Sequence, residues 1–371
     1  MTANIVVGLG FGDEGKGLVT DFLLSEKRYS GLAPLIVVRY TGGHQAGHNV
    51  VIGDKSHIHS SYGSGTLRGV PSYFTEHCCM YPPNMMREYD VLMEKEVRPN
   101  LYLHPRVKVS TPYDVAYNRL LERRLGHGSC GIGIGTTMHR SAGPNKLFAV
   151  DLTCSSVVRQ KLQAIKEYYE PLLWGCNAKE LRAYRQDVQT EMGYFEFALG
   201  YLTFNIKPYG FLKLFNTVIF EGAQGVLLDM DFGVFPNVTY GHTTSRNAVE
   251  ICKGLGIEQV EVYYVTRCYL TRHGTGWLPE GEEVSLINNE SETNTENEWQ
   301  GKFRTRELDY KLLDYAVQCD STYSYGYLKN LVVTCFDQRP EFQFDLESLN
   351  SSFSRVYEGW SPSSTDLKQI I

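Results

Sequence analysis

Residues 5–21, IVVGLGFGDEGKGLVTD, constrain this chain more than any other stretch. Ile5, Val6, Val7 and Leu9 suit a strand covered on both faces, and after a glycine-rich turn Gly17, Leu18 and Val19 open a segment with helical spacing. The turn holds Gly10, Gly15 and Lys16 in the pattern G-x-x-x-x-G-K, the spacing of a phosphate-binding loop. Such a loop turns successive backbone N–H groups toward an anion, while a lysine and the helix N-terminus add positive charge. Two positions depart from that pattern. Gly17 stands where a Walker loop has the Ser or Thr that holds Mg²⁺, and Asp13 puts a carboxylate inside a cradle suited to anions. A carboxylate there can act as metal ligand or as base beside a transferring phosphoryl group; the plain alternative is a tight βα connection.

Length and composition remove several classes. With 371 residues the chain can bury a large core, and 42% hydrophobic residues with a mean hydropathy of -0.28 suit a soluble globular enzyme. A net charge of -6 argues against a surface that coats nucleic acid, so any phosphate recognition is local. No stretch approaches the ~18–20 apolar residues of a membrane span, and the N-terminus enters a strand without a signal peptide, so a cytoplasmic protein is expected. The nine cysteines form no C-x-x-C pair, which argues against a disulfide framework and a structural zinc site.

Further along, residues 33–40 read as a second buried strand running into TGGHQAGHN, where glycines between His44 and His48 disfavour a helical metal pair. A helix is expected near 84–95. Another starts at Thr111, with Thr111 as cap, Pro112 at the first helical position and Asp114 complementing the dipole, and stops near Gly126. GHGSCGIGIGTT (126–137) is a ligand loop or a flexible connection. Helical spacing follows over 155–173 and 178–213; strands are expected at 217–220, 260–266 and 331–335, and a helix from Ser245 to about Gly254. A polar run at 288–298 leads into Trp299, Arg304 and Arg306, which reads as a mobile lid over an anionic substrate (about 286–306) or as a solvated loop. These features fit an α/β enzyme with a mostly parallel sheet, ligand loops at its carboxyl edge and helical insertions over about 84–213, without a linker that separates two domains.

GDEGKG (12–17), RYTGGHQAGH (39–48), GSCGIGIG (128–135), FEGAQGVLLDMDFGVFPNVT (220–239), TRHGTG (271–276) and T-x-x-D (334–337) together resemble the adenylosuccinate synthetase family, in the family's own order. That resemblance implies transfer of the γ-phosphoryl of GTP to O6 of IMP, then displacement of phosphate by the amine of aspartate. It implies Asp13 as the base at N1 and, with the carbonyl of Gly47, as Mg²⁺ ligand; His48 as proton donor toward the departing GDP; and Gly12, Glu14, Gly15, Lys16, Gly17, Gly47, His48, Asn49 and Asp337 around GTP. It places Asp13, Gln45, Ser129, Gln224, Thr239 and Arg140 at the acceptor nucleotide, Arg140 as the candidate to cross between subunits of a homodimer. Arg304 and Arg272 would clamp aspartate. Thr41 and Gln45 depart from the residues common in the family, which with the compact length keeps GMP or dGMP open as acceptor, and Cys335 stands where a Lys often stacks beside the donor base. A catalytically inactive nucleotide-binding switch and a simple nucleotide kinase are the rival classes.

Overall fold

A computed structural model describes residues 1–25, 34–126, 129–287 and 301–371. Its strands are, in chain order, β1 (Thr2–Gly8), β2 (Leu35–Arg39), β3 (His48–Ile52), β4 (Lys55–His59), β5 (Ser72–Phe74), β6 (Cys79–Met80), β7 (Leu101–Leu103), β8 (Lys108–Val109), β9 (Asn205–Ile206), β10 (Thr217–Gly225), β11 (Gln259–Arg267), β12 (Tyr269–His273), β13 (Phe303–Glu307), β14 (Leu328–Thr334), β15 (Arg355–Gly359) and β16 (Leu367–Gln369). The α-helices are α1 (Lys16–Leu24), α2 (Pro82–Glu94), α3 (Pro112–Leu125), α4 (Ile134–Ala142), α5 (Ser155–Tyr169), α6 (Ala178–Tyr201), α7 (Arg246–Leu255) and α8 (Tyr310–Ser324).

Ten strands form one sheet in the order β16-β15-β14-β11-β1-β10-β2-β5-β7-β9. Every pair is parallel except β15 with β16. The unbroken apolar runs of the sequence lie in the middle of this sheet because both of its faces are covered. Ile5, Val7, Val218, Phe220, Val262 and Tyr264 enter a core shared with α7 and α8, whereas Val6, Ile219, Tyr263 and Val265 pack with Leu18, Val19 and Leu23 of α1 on the other face. Successive strand residues therefore serve opposite cores. A further core under the helical insertion joins Met85, Leu92, Val115, Ile165 and Phe195 to Phe74, Leu101 and Leu103 of the sheet.

Parallel strands deliver their carboxyl ends to one edge, so the loops after β1, β2, β10, β11 and β14 converge there. The expected start of α3 is confirmed: Thr111 as cap and Asp114 in the first turn form a capping box on either side of Pro112, and Gly126 closes the helix with φ 58°. The helix expected over 178–213 is shorter. It ends at Tyr201, because Asn205–Ile206 pairs with β7 and Pro208 begins a 3-10 turn at Tyr209–Leu214. The part of the expected lid at 288–300, Trp299 included, lies outside the described residues.

Candidate active site

The loop between β1 and α1 has the conformation its glycines allow. Gly12 and Gly15 take φ of 99° and 97°, and Gly15 precedes the first residue of α1. Asp13 adopts φ 61°, one of four described non-glycine residues with positive φ. Two of the others, Gln224 (59°) and Cys335 (67°), line the same cavity as Asp13. Strained backbone thus gathers at the sheet edge, where it orients side chains at some cost in stability.

Inside the loop, Glu14 accepts from the backbone N–H of Gly10 at 3.0 Å and of Gly12 at 2.7 Å, and Lys16 donates to the same carboxylate. The Glu14 carboxylate is therefore held by two loop amides and the loop lysine, the donor types that serve an anion in a phosphate cradle. Thr334, at the end of β14, ties the loop down by donating to the Glu14 carbonyl at 2.8 Å. Gly17 also has a spatial reason. A Cβ there would meet the Asn49 carbonyl at 2.9 Å and His48 Cβ at 3.0 Å, so β3 takes the room that a Walker hydroxyl needs.

Asp13 sits among cations. Its Oδ2 lies 3.2 Å from His273 Nε2, and Arg267 donates to its carbonyl oxygen. Burial pushes the carboxyl up, but the close contact with His273 and the neighbouring Arg267 and Lys16 outweigh it and hold the group below the usual carboxylate range. Asp13 is ionised at neutral pH. His48 is oriented from behind: its Nδ1 lies 2.7 Å from Glu221 Oε1, and Ser64 donates to Glu221 through its hydroxyl and its backbone N–H. Burial lowers the His48 pKa against the opposing pull of Glu221. Burial raises Glu221 in turn, yet His48, Arg39 and Ser64 bring it down to about 2. The pair is therefore an ionised carboxylate holding an Nδ1–H imidazole, with Nε2 left for a ligand.

These groups border one cavity of about 920 Å³. That is near the top of the ~300–1,000 Å³ range of small-molecule sites, room for more than one small ligand. Of the residues that the family resemblance assigns to ligands, Gly12, Asp13, Glu14, Gly15, Lys16, Gly17, Gln45, Gly47, His48, Asn49, Ser129, Gln224, Thr239, Arg272 and Asp337 line it. Ser129 accepts from Asn118 at 2.9 Å, which positions its hydroxyl on the helical wall. Asp337 follows β14 and accepts from Gln338 at 3.1 Å.

Two expected residues lie off that wall. Arg304 is the cross-strand partner of Arg272 in the antiparallel β12–β13 pair, but its guanidinium turns to the carbonyl of Gly276. Arg272 itself stacks on Phe11 with its guanidinium 4.4 Å from the ring centroid, and burial together with Arg304 lowers its pKa to about 10. Arg140 is a correction. Instead of reaching outward it is buried, its Nε 2.8 Å and Nη2 3.0 Å from the Asp114 carboxylate, and it also donates to the carbonyls of Asn145 and Val109. Tyr169 completes the Asp114 cluster at 2.7 Å, so this arginine joins α4 to α3 and α5 and is spent inside the insertion. Sequence reasoning gave no role to Glu221, Ser64, Arg267 or His273. Glu221, His273 and the buried Arg39 stood inside motifs already singled out, whereas Ser64 and Arg267 had no local signal.

A phosphate loop with an ionised carboxylate in it, a carboxylate-held histidine beside it, and a cavity walled by the carboxyl edge of a parallel sheet define a nucleotide-dependent group-transfer enzyme. The chain belongs to the adenylosuccinate synthetase family, whose sequence profile matches residues 5–339. Members of this family are ligases that form a C–N bond, and they use a metal ion. Adenylosuccinate synthetase of Thermoplasma volcanium is 30% identical over 342 residues, 85% of this chain and 72% of that protein. The enzyme of Streptomyces coelicolor is 29% identical over 400 residues, covering 100% of this chain and 90% of its own length. Among solved structures, fully ligated adenylosuccinate synthetase from Plasmodium falciparum superposes with a TM-score of 0.66 at 21% identity, over 91% of this chain and 77% of that one. Succinoaminodeoxyadenylate synthetase (PurZ) of cyanophage S-2L, bound to dGMP and dATP, also gives 0.66, at 15% identity over 99% and 95% of the two chains. Among the described residues no helix is long and apolar enough to cross a membrane.

Proposed function

We propose that this ligase uses GTP to phosphorylate O6 of IMP and then joins L-aspartate at C6, releasing GDP and phosphate and yielding adenylosuccinate. The observation that carries the reading is the ionised carboxylate of Asp13 within a phosphate loop, with no loop hydroxyl to share its task. Taking the N1 proton turns the neutral lactam oxygen into an enolate-like nucleophile, and Asp13 is the cavity's ionised base beside the loop. Lys16, released from Glu14, and the loop amides receive phosphate oxygens, while His48, steadied by Glu221, donates toward the departing diphosphate once the anion raises its basicity. The oxygens of Asp13 and of the Gly47 carbonyl, both on the cavity wall, are hard donors suited to Mg²⁺, which bound there offsets charge on the nucleotide phosphates. Ser129 and Thr239 serve the acceptor's 5′-phosphate, Gln224 its O6 edge, and Asp337 the two guanine donors of GTP. Arg272, with Arg304 behind it, meets the aspartate carboxylates. Assembly as a homodimer belongs to this reading.

A second acceptor, dGMP, gains support from the near end-to-end match with the cyanophage enzyme and from Thr41 and Gln45. Incubation with GTP, Mg²⁺, aspartate and IMP, GMP or dGMP in turn, with ATP replacing GTP in parallel, separates the cases by product mass. The expected result is a succinylated product from IMP, faster with GTP than with ATP. Product from dGMP and none from IMP overturns the acceptor; phosphate release without aspartate incorporation overturns the ligase assignment for this chain.

A further inference from the structure

Behind the β3–β4 hairpin lies a group of side chains that the reaction does not use. His57 and His59 point to the same side of β4, two residues apart, and Glu88 reaches them from α2. One ligand atom from each lies within 4.8 Å of the others. His57 Nε2 is 3.4 Å and His59 Nδ1 3.7 Å from Glu88 Oε1. Four-coordinate zinc with ligands at about 2.0–2.2 Å sets neighbouring ligand atoms roughly 3.3–3.6 Å apart, close to both separations.

The carboxylate is already aimed. Glu88 Oε2 accepts from Ser60 Oγ at 2.9 Å and from the backbone N–H of Ser60 and Ser61 at 3.1 and 2.5 Å, which leaves Oε1 facing the two rings, with a 3.2 Å contact from Ser60 N and a long 3.4 Å hydrogen bond to His57 Nε2. Outer contacts of this kind orient metal-binding carboxylates. On the far edge of His57, Lys95 lies 3.3 Å from Nδ1 and donates to the Ser56 carbonyl, so Nε2 is the nitrogen turned inward. The independent sign is His59. It has no exposed surface, and neither of its ring nitrogens has a hydrogen-bond partner. Buried polar atoms without partners are rare in folded proteins, and neutral imidazole with a free lone pair is the form that binds metals.

We propose that His57, His59 and Glu88 bind a divalent transition-metal ion of the zinc class, with a water completing the coordination. Two imidazoles and one carboxylate suit zinc better than magnesium, so this site is chemically separate from the oxygen donors at Asp13. Its effect is positional. His59 pairs across the hairpin with His48, so the ion fastens β4, the hydrogen-bonded neighbour of the strand that carries His48, to α2. The other such cluster among the described residues, Asp229, Asp231 and His242, is a poorer site: Arg246 lies 2.9 Å from His242 and 3.6 Å from Asp231, and backbone amides already fill Asp229.

The test is metal analysis of untagged full-length protein after exposure to Zn²⁺ and gel filtration. One zinc retained per chain is expected, lost in His57→Ala and Glu88→Gln and kept in Asp13→Asn. X-ray absorption at the zinc edge of the wild-type protein, which needs no variant to fold, is expected to show nitrogen and oxygen ligands with imidazole scattering. Zinc absent from the wild type, equal zinc in the His57 and Glu88 variants, or sulfur ligation by cysteines would overturn the proposal.

Discussion

Asp13 takes a backbone conformation that L-residues avoid, at φ 61°, and its carboxylate faces His273 with Arg267 and Lys16 nearby. Because its folded pKa is depressed, its contribution to stability is present above its unfolded value of about 4 and is lost only as pH falls through the folded value. With 24% of the side chain exposed, that contribution is small. The carboxylate is thus placed for chemistry more than for stability. Asp13→Asn is expected to melt within a few degrees of wild type and to lose turnover by at least ~100-fold, since it removes a group that acts on a proton in the transition state. Steady-state kinetics beside a thermal melt checks this, and turnover within tenfold of wild type would take Asp13 out of catalysis. Glu221 shows the complementary case. It holds His48 from behind with every oxygen committed, so its role is positioning.

At the scale of elements, the packing of α1 against β3 explains why the phosphate loop ends in glycine. Gly17→Ala would bring its Cβ to 2.9 Å from the Asn49 carbonyl, 3.0 Å from His48 Cβ and 3.2 Å from Ser64 Oγ, two of which are backbone or the root of a buried side chain. Overpacking of this sort costs about 1–3 kcal/mol and would push His48 off Glu221. A lower melting temperature with a turnover loss beyond ~10-fold is expected; Gly193→Ala, in α6 with nothing within 4 Å, should melt no lower than wild type. Equal behaviour of the two variants would refute the close-approach account. The loop was legible in the sequence because its signal is contiguous: spacing, glycines and one odd carboxylate all lie within a few residues. The start of α3 was legible for the same reason. Arg140 was not, because its partner Asp114 stands one helix away and the charge gives no hint that it is buried. The end of α6 was missed where pairing with β7 outweighed helical spacing, and the His-x-His of β4 carried no meaning until α2 brought Glu88 beside it.

The whole molecule keeps several imidazoles neutral, and this sets how it responds to acid. Burial lowers His44 to about 4 and His59 to about 3, and these side chains are 3% and 0% exposed. His77 is likewise lowered to about 4, and His48 is lowered by burial against the pull of Glu221. In the unfolded chain each would titrate near 6.5. Below that pH the unfolded state binds protons that the folded state refuses, so stability is full above about 6.5 and is lost as pH falls toward the folded values. At about 1.4 kcal/mol per unit, His44 and His59 together remove on the order of 4 kcal/mol between pH 7 and pH 5. For a chain of 371 residues this corresponds to a melting temperature lower by roughly 5 °C. The measurement is a series of thermal melts of chelator-treated protein from pH 7.5 to 5 at constant ionic strength, with His44→Gln as the comparison. His44→Gln is expected to flatten the slope by about one proton's worth while Asp13→Asn leaves it unchanged over the same range, since Asp13 titrates below it. A wild-type melting temperature that stays level down to pH 5 would mean that these rings are protonated inside the fold, and the neutral Nε2 assigned to His48 would fall with it.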